Sequence, residues 1–259
     1  MELYTTLDPQ LYVDFAHALL DQQRVVLIPH LEPDPDAIGS CLALSRWLRS
    51  KGRATRILIP EPVPSRAVGM PDTDTIEVVE QISDLSGYTP MIVDTGQLNR
   101  IPEGYLEAVQ RREGLPLFNF DHHSSNPGFG DYNLVDPSAA ACGEMVYNLM
   151  LAVGDQPDLP TAELLYGAIL TDTGKFSFGN TTHRSLAIAA RLVEQGLKVE
   201  EITNYLYNYR TVPQLRLFGE ILSTIRSYPE LSLVVGEATL EMYQRTGTSY
   251  EDTNGAVEL

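Results

Sequence analysis

The chain has few basic residues for its length. Its 259 residues include 18 Lys and Arg against 35 Asp and Glu, so the formal net charge is −17 at pH 7. Two bound divalent cations, adding +4, would still leave −13. Proteins that bind long duplex nucleic acid normally carry a basic surface. We therefore expect no such partner, whereas a small phosphorylated substrate held through metal ions is compatible with this charge.

Cysteine and long apolar runs are also scarce. Cys41 and Cys142 are the two cysteines, and both lie in stretches typical of helices, which predicts reduced thiols in a cytoplasmic protein. The N-terminus has no basic segment leading into an apolar run, and no run approaches the ~18 residues of a membrane-spanning helix. A soluble protein with no membrane partner is predicted. Neither a GxSxG elbow nor a Walker A loop occurs.

Short apolar runs alternate with amphipathic stretches along the chain. Four runs are typical of buried parallel strands: 24–29, 54–60, 90–95 and 115–121. Apolar residues recur at helical spacing in seven further stretches: 9–22, 36–52, 103–113, 137–154, 160–174, 183–196 and 199–209. A strand followed by a helix is predicted within 231–247. Such alternation indicates βαβ units. The predicted fold class is α/β, a mainly parallel sheet flanked by helices, followed by linker helices and the beginning of a second α/β domain.

An acidic segment follows the first predicted strand, from His30 to Asp36. A residue before proline avoids helical geometry, so Asp34 is expected to be extended, and residues two apart then face the same side. Asp34 and Asp36 can thus each bind one of two neighbouring ions. The helix beginning near Ala37 is expected to direct its first N–H groups towards a phosphate. The alternative is that Asp36 is a helix N-cap and His30 a structural histidine.

Further acidic residues follow other apolar runs. Asp94 and Asp121 stand at the carboxyl ends of predicted parallel strands, the edge where open α/β sheets bind ligands. Asp94 alone could also start a turn. In Asp121-His122-His123, one histidine is expected to bind an ion while the other faces substrate, and Asp172 offers another carboxylate. Carboxylates with imidazole suit Mn²⁺ or Mg²⁺, with Fe²⁺ open. Two such ions would favour phosphoester hydrolysis.

Four segments in this order, HLEPDPDAIGS, IVDTG, FDHHSSN and ILTDTGKFSFGNTT, resemble the motifs of the DHH phosphoesterases, the superfamily of RecJ-like exonucleases and family II inorganic pyrophosphatases. The run after Asp172 and the segment TGTSYEDTNG resemble its NrnA-like branch of nano-RNases and 3′-phosphoadenosine 5′-phosphate (pAp) phosphatases. The resemblance implies hydrolysis of short oligoribonucleotides (nanoRNA), pAp or both. It also implies two Mn²⁺ ions, with Mg²⁺ as the alternative.

The resemblance also implies roles for individual residues. His30, Asp34 and Asp94 would hold one ion. Asp36, His122 and Asp172 would hold the other together with Asp94, which bridges the two. His123 would contact the scissile phosphate and Asp121 would orient its neighbours. Ser40 and Asn126 are further candidates for substrate binding.

The same resemblance implies a domain division. Residues 1–190 would form the DHH catalytic domain, 191–224 a helical linker, and 225–259 an incomplete DHHA1-like substrate-binding domain. Members of this branch continue into a glycine-rich GGGH segment that this sequence lacks, so we expect a truncated second domain, with metal binding kept and full substrate affinity lost.

Several alternatives remain open. Cyclic or linear di-adenylate, pyrophosphate and polyphosphate are alternative substrates, and a non-catalytic nucleotide-binding regulatory module is an alternative of another class. Short oligonucleotides or phosphorylated nucleotides are the expected partners. A homodimer is one alternative for the oligomeric state.

Overall fold

The computed structural model describes residues 3–112, 114–208, 210–253 and 255–256. The chain divides into two compact units, 1–206 and 207–259. The predicted domain boundaries after 190 and 224 remain a proposal. Within the described residues, no helix is long and apolar enough to cross a membrane.

The first unit contains a six-stranded parallel sheet. Its strands are β1 (Arg24–Pro29), β2 (Ala54–Ile59), β3 (Glu77–Val78), β4 (Thr89–Val93), β5 (Phe118–Asp121) and β6 (Tyr132–Val135). They lie in the order β3-β2-β1-β4-β5-β6. The chain therefore runs from β1 towards one edge and then crosses to β4 on the other side of β1. The topological switch point, where α/β sheets bind ligands, lies between β1 and β4.

Helices cover both faces of this sheet. The helices of the first unit are α1 (Pro9–Leu20), α2 (Pro35–Ser50), α3 (Glu103–Gln110), α4 (Cys142–Ala152), α5 (Leu159–Asp172), α6 (His183–Val193) and α7 (Val199–Thr203), of which α6 and α7 pack on α5. On one face, Tyr105 of α3 packs with Ile28 and Ile92. On the other, the ring of Phe15 contacts Phe118, while α2 packs against α4 and α5. The predicted α/β class with a mainly parallel sheet is confirmed.

Some element boundaries differ from the prediction. β3 and β6 were not predicted, because β3 has two residues and β6 follows directly on a glycine-rich loop. The helix predicted from 137 begins at Cys142, since the Asp136 carboxylate accepts from the Ser138 amide and holds the preceding residues in a turn. The last predicted residues of two helices, 113 and 209, lie outside the described residues.

The second unit is small. It contains α8 (Val212–Ser223), an antiparallel pair β7 (Arg226–Tyr228) and β8 (Leu233–Val235), and α9 (Leu240–Thr246). Its core consists of Leu217, Phe218, Ile221 and Met242. The strand and helix expected within 231–247 are β8 and α9.

Candidate metal centre

The carboxyl edge of the sheet at the switch point brings the predicted site residues together. His30 follows β1, Asp94 follows β4, and Asp121 ends β5. Asp34 and Asp36 stand at the start of α2, and Asp172 ends α5. Three strand ends and two helix ends therefore converge on one place.

The start of α2 differs from the expectation in one respect. Asp34 is the N-cap, and its Oδ1 accepts hydrogen bonds from the amides of Asp36 (2.9 Å) and Ala37 (3.0 Å). These amides already donate to Asp34, so the predicted phosphate-binding site at the start of this helix is wrong. The alternative in which Asp36 is the N-cap is wrong as well.

Asp36 is held by a different helix. Its Oδ2 accepts from the Cys142 amide (2.7 Å) and its Oδ1 from the Gly143 amide (2.9 Å), both at the N-terminus of α4. This end of a helix favours an anion, which explains how a carboxylate that is 1% exposed is accommodated. The fully buried Ser40 also donates to Oδ1 (3.1 Å). In this structure Ser40 orients Asp36, a role different from the predicted substrate contact.

Two groups of potential ligand atoms share Asp94. In the first, His30 Nε2 lies 3.9 Å from Asp34 Oδ2 and 3.8 Å from Asp94 Oδ2. In the second, His122 Nε2 lies 3.4 Å from Asp94 Oδ1, 3.6 Å from Asp172 Oδ2 and 4.0 Å from Asp36 Oδ2. Asp94 thus offers one carboxylate oxygen to each group.

These separations suit atoms that surround a common cation. Most are too long for hydrogen bonds, whereas ligands about 2.1 Å from one ion lie roughly 3–4 Å apart. Groups of three ligand atoms within 4.8 Å of one another occur in His30–Asp34–Asp94 and in Asp36–His122–Asp172. The donor set therefore fits two hard or borderline divalent cations.

Asp94 has an unusual backbone. Its φ is +55°, in the left-handed region that aspartate tolerates better than most residues. The amide of Asp94 donates to the Phe120 carbonyl (2.9 Å), which fixes this conformation at the end of the strand. The Cys142 thiol lies 3.6 Å from Asp94 Oδ1, and burial followed by the charge of Asp94 raises the thiol pKa. Cys142 is therefore a neutral donor to Asp94.

The electrostatics of the centre favour added positive charge. Burial, and then repulsion from Asp94 and Asp172, raises the pKa of Asp36 well above its usual value. Burial also raises the pKa of Asp172 to about 6. Burial alone would lower the pKa of His122, but the surrounding carboxylates outweigh it and raise this pKa to about 10. Bound cations would relieve this repulsion among buried carboxylates.

His123 is oriented by a separate set of contacts. Its Nδ1 lies 2.8 Å from Asp121 Oδ1, and this hydrogen bond raises the pKa of His123. Burial would raise the pKa of Asp121, but hydrogen bonds from His123 and Asn126 lower it. Asn126 Nδ2 donates to Asp121 Oδ2 (2.7 Å) and to the Thr95 carbonyl (3.2 Å). Asn126 thus supports Asp121, whereas the partly exposed ring of His123 keeps Nε2 available to a ligand.

Sequence reasoning missed two residues of the centre. Cys142 was predicted only as a reduced thiol, without a place in the site, yet its Sγ groups with oxygens of Asp36 and Asp94. Arg100 received no role, although its Nη2 lies 3.1 Å from His30 Nδ1. The available signal was its place in the same connection as Asp94, shortly after β4.

Comparison with known proteins agrees with this geometry. A family model described as "DHH family, N-terminal domain" matches residues 24–169. The "Bifunctional oligoribonuclease and PAP phosphatase NrnA" of Thermus thermophilus is 34% identical over 201 residues, which are 78% of this chain and 59% of that protein. The protein of the same name from Bacillus subtilis is 30% identical over 241 residues, 90% of this chain and 73% of that protein.

Among solved structures, an exopolyphosphatase-related protein from Bacteroides fragilis has a TM-score of 0.89. It is 23% identical, and the match covers 98% of this chain and 77% of that chain. At this identity the likeness concerns the fold alone. The chain spans about three fifths of the length of the Thermus relative.

Proposed function

Because the chain belongs to the DHH family, we propose that it is a phosphoesterase that hydrolyses short oligoribonucleotides, pAp or both. The proposed cofactor is a pair of Mn²⁺ ions, with Mg²⁺ as the alternative. The main support for the proposal is that Asp94 lies between the two ligand groups, with Oδ2 near His30 and Oδ1 near His122. The names of the Thermus and Bacillus relatives support the choice of substrate.

The chain's own residues have separable tasks in this reaction. Two divalent cations would supply an activated water and neutralise charge at the phosphate. His30 and Asp34 would hold one ion, Asp36, His122 and Asp172 the other, and Asp94 both. Asp121 fixes the ring of His123 through Nδ1. His123 can then hold a phosphate oxygen through Nε2, or give a proton to the leaving oxygen.

Substitution of Asp36 tests this proposal. The purified chain, supplied with Mn²⁺, is expected to release AMP from pAp and mononucleotides from di- to tetranucleotides. Asp36→Ala is expected to abolish both reactions, because it removes a carboxylate of the second group. Asp14→Ala is the matched control, since Asp14 is an exposed residue of α1. Activity that survives both Asp36→Ala and a chelator would refute the proposal.

The choice of substrate needs a wider panel. Cyclic and linear di-adenylate contain phosphodiester bonds, and pyrophosphate and polyphosphate contain phosphoanhydride bonds. In each case water attacks phosphorus, so all are included beside pAp and nanoRNA. Faster hydrolysis of one of these alternatives would keep the metal centre and replace the proposed substrate. Nucleotide binding by calorimetry, without turnover of any substrate, would instead favour the regulatory module. The cytoplasmic location and the homodimer stay predictions.

A further inference from the structure

Arg100 is an exposed cation beside a strongly acidic centre. It ends a short 3-10 turn, Leu98–Arg100, and its carbonyl accepts from the Leu31 amide (2.7 Å). This bond ties the loop after β4 to the loop after β1, so the Arg100 backbone is fixed next to His30. Within the described part of the chain, Arg100 forms no ion pair with a carboxylate. No carboxylate of these residues therefore contacts the guanidinium directly.

The guanidinium and a carbonyl compete for the same nitrogen. His30 Nδ1 lies 2.7 Å from the Leu31 carbonyl, which requires an N–H, and 3.1 Å from Arg100 Nη2, which requires a lone pair. His30 Nε2 faces Asp34 and Asp94 and must present its lone pair if it is to bind a cation. The proton then belongs on Nδ1, directed at Leu31, as is usual for metal-binding histidines.

In that tautomer Arg100 loses its acceptor on the ring. Two N–H groups would face each other at 3.1 Å, and the exposed guanidinium would have to turn towards another acceptor. An anion bound at the first ligand group is the nearest chemical match, because guanidinium pairs with phosphate oxygens through two parallel hydrogen bonds.

We propose that Arg100 is a substrate-binding residue. When metal ions occupy the centre, its guanidinium moves away from His30 and donates hydrogen bonds to a non-bridging oxygen of the substrate phosphate. The inference rests on the proposed function for the class of ligand, a phosphate ester. Beyond the metal ligands, the inference assigns one cationic substrate contact to the first unit. Adenosine, which has no phosphate, should be insensitive to Arg100.

The test measures binding of AMP and of adenosine by calorimetry at saturating Mn²⁺. Arg100→Gln removes the positive charge, and Arg100→Lys keeps the charge but lacks the two parallel N–H donors of the guanidinium. Arg111→Gln is the control, because it removes an equal charge from an exposed ion pair with Glu107. Arg100→Gln is expected to weaken AMP binding about 10- to 100-fold, the usual effect of losing a charged hydrogen bond. Arg100→Lys should restore part of the affinity, and Arg111→Gln should match the unaltered protein.

Two further readouts separate binding from structure. Mn²⁺ affinity, titrated without nucleotide, should change less than about twofold in Arg100→Gln, and adenosine binding should not change. Loss of Mn²⁺ binding would show that Arg100 merely supports His30 and would overturn the inference. So would equal AMP binding by all four proteins, including no binding by any. A chain that binds AMP through Arg100 but hydrolyses nothing would refute the proposed enzyme and leave this inference intact.

Discussion

Asp36→Asn gives the clearest quantitative test of the metal centre through stability. Both Asp36 oxygens accept amides of α4, and asparagine keeps one acceptor, which leaves a buried amide facing an NH₂ group. An unsatisfied buried amide costs about 1–3 kcal/mol. The substitution also removes a buried charge that Asp94 and Asp172 repel. In a chelator these effects oppose each other, so we expect a small change in Tm.

Mn²⁺ should separate the two proteins. A ligand at 100 times its Kd stabilises the folded state by about 2.7 kcal/mol. For a domain of this size that corresponds to a rise of roughly 5–10 °C in Tm. The unaltered chain should show this rise in thermal melts followed by circular dichroism. Asp36→Asn should lose most of it, because the second ligand group has lost a carboxylate.

The control and the refuting result follow from the same melts. Asp14→Asn removes an exposed carboxylate of α1 and should keep the full response to Mn²⁺. An equal rise in Tm for Asp36→Asn and the unaltered chain would refute the assignment of Asp36 as a ligand. The absence of any Mn²⁺ effect on the unaltered chain would contradict the metal centre as a whole.

Three further predictions concern neighbouring residues. His123→Asn should lower turnover about 10²–10⁴-fold with both metals retained. Loss of a metal from this variant, measured by titration, would show that His123 is the metal ligand and His122 the residue that faces substrate. Gly96→Ala would place a Cβ 2.8 Å from Ser125 Oγ and 3.3 Å from His123 Cβ, so turnover should fall by up to about 10²-fold, and unchanged kinetics would show that the loop adapts. Burial raises the pKa of Glu144 from 4.5 to about 7. The neutral carboxyl therefore stabilises the folded state below pH 4.5, and the free energy of unfolding falls by about 3 kcal/mol as pH rises through 7. In denaturant titrations with a chelator, Glu144→Gln should lack this fall. Identical pH profiles for the two proteins would contradict the prediction.

The apolar strands could be predicted because each is buried on both faces. β1 and β4 are apolar along most of their length, and such runs distinguish buried parallel strands from amphipathic helices. In β5, the buried Asn119 stands between Phe118 and Phe120, so its signal comes from the aromatic pair. β6 gives no comparable signal, because Tyr132 and Asn133 are exposed at the sheet edge. The start of α4 was misjudged for another reason. Alanine favours helix at 139–141, but the side-chain bonds of Asp136 hold the preceding turn.

The chemistry of the centre was easier to predict than its supports. Asp94 and Asp121 could be assigned to one edge because strand direction alone determines where their carboxylates emerge. The bonds from α4 to Asp36 depend on tertiary packing between residues 106 positions apart, for which sequence spacing holds no signal. Arg100 and His30 are 70 positions apart, and the place of Arg100 shortly after Asp94 was the one signal for this contact.

Anomalous scattering at the manganese edge, from a crystal grown with Mn²⁺, tests the account most directly. Two ions are expected at the carboxyl edge of β1 and β4. One should lie on His30 and Asp34, the other on Asp36, His122 and Asp172, with an oxygen of Asp94 on each. A single ion, or ions bound away from Asp94, would contradict it.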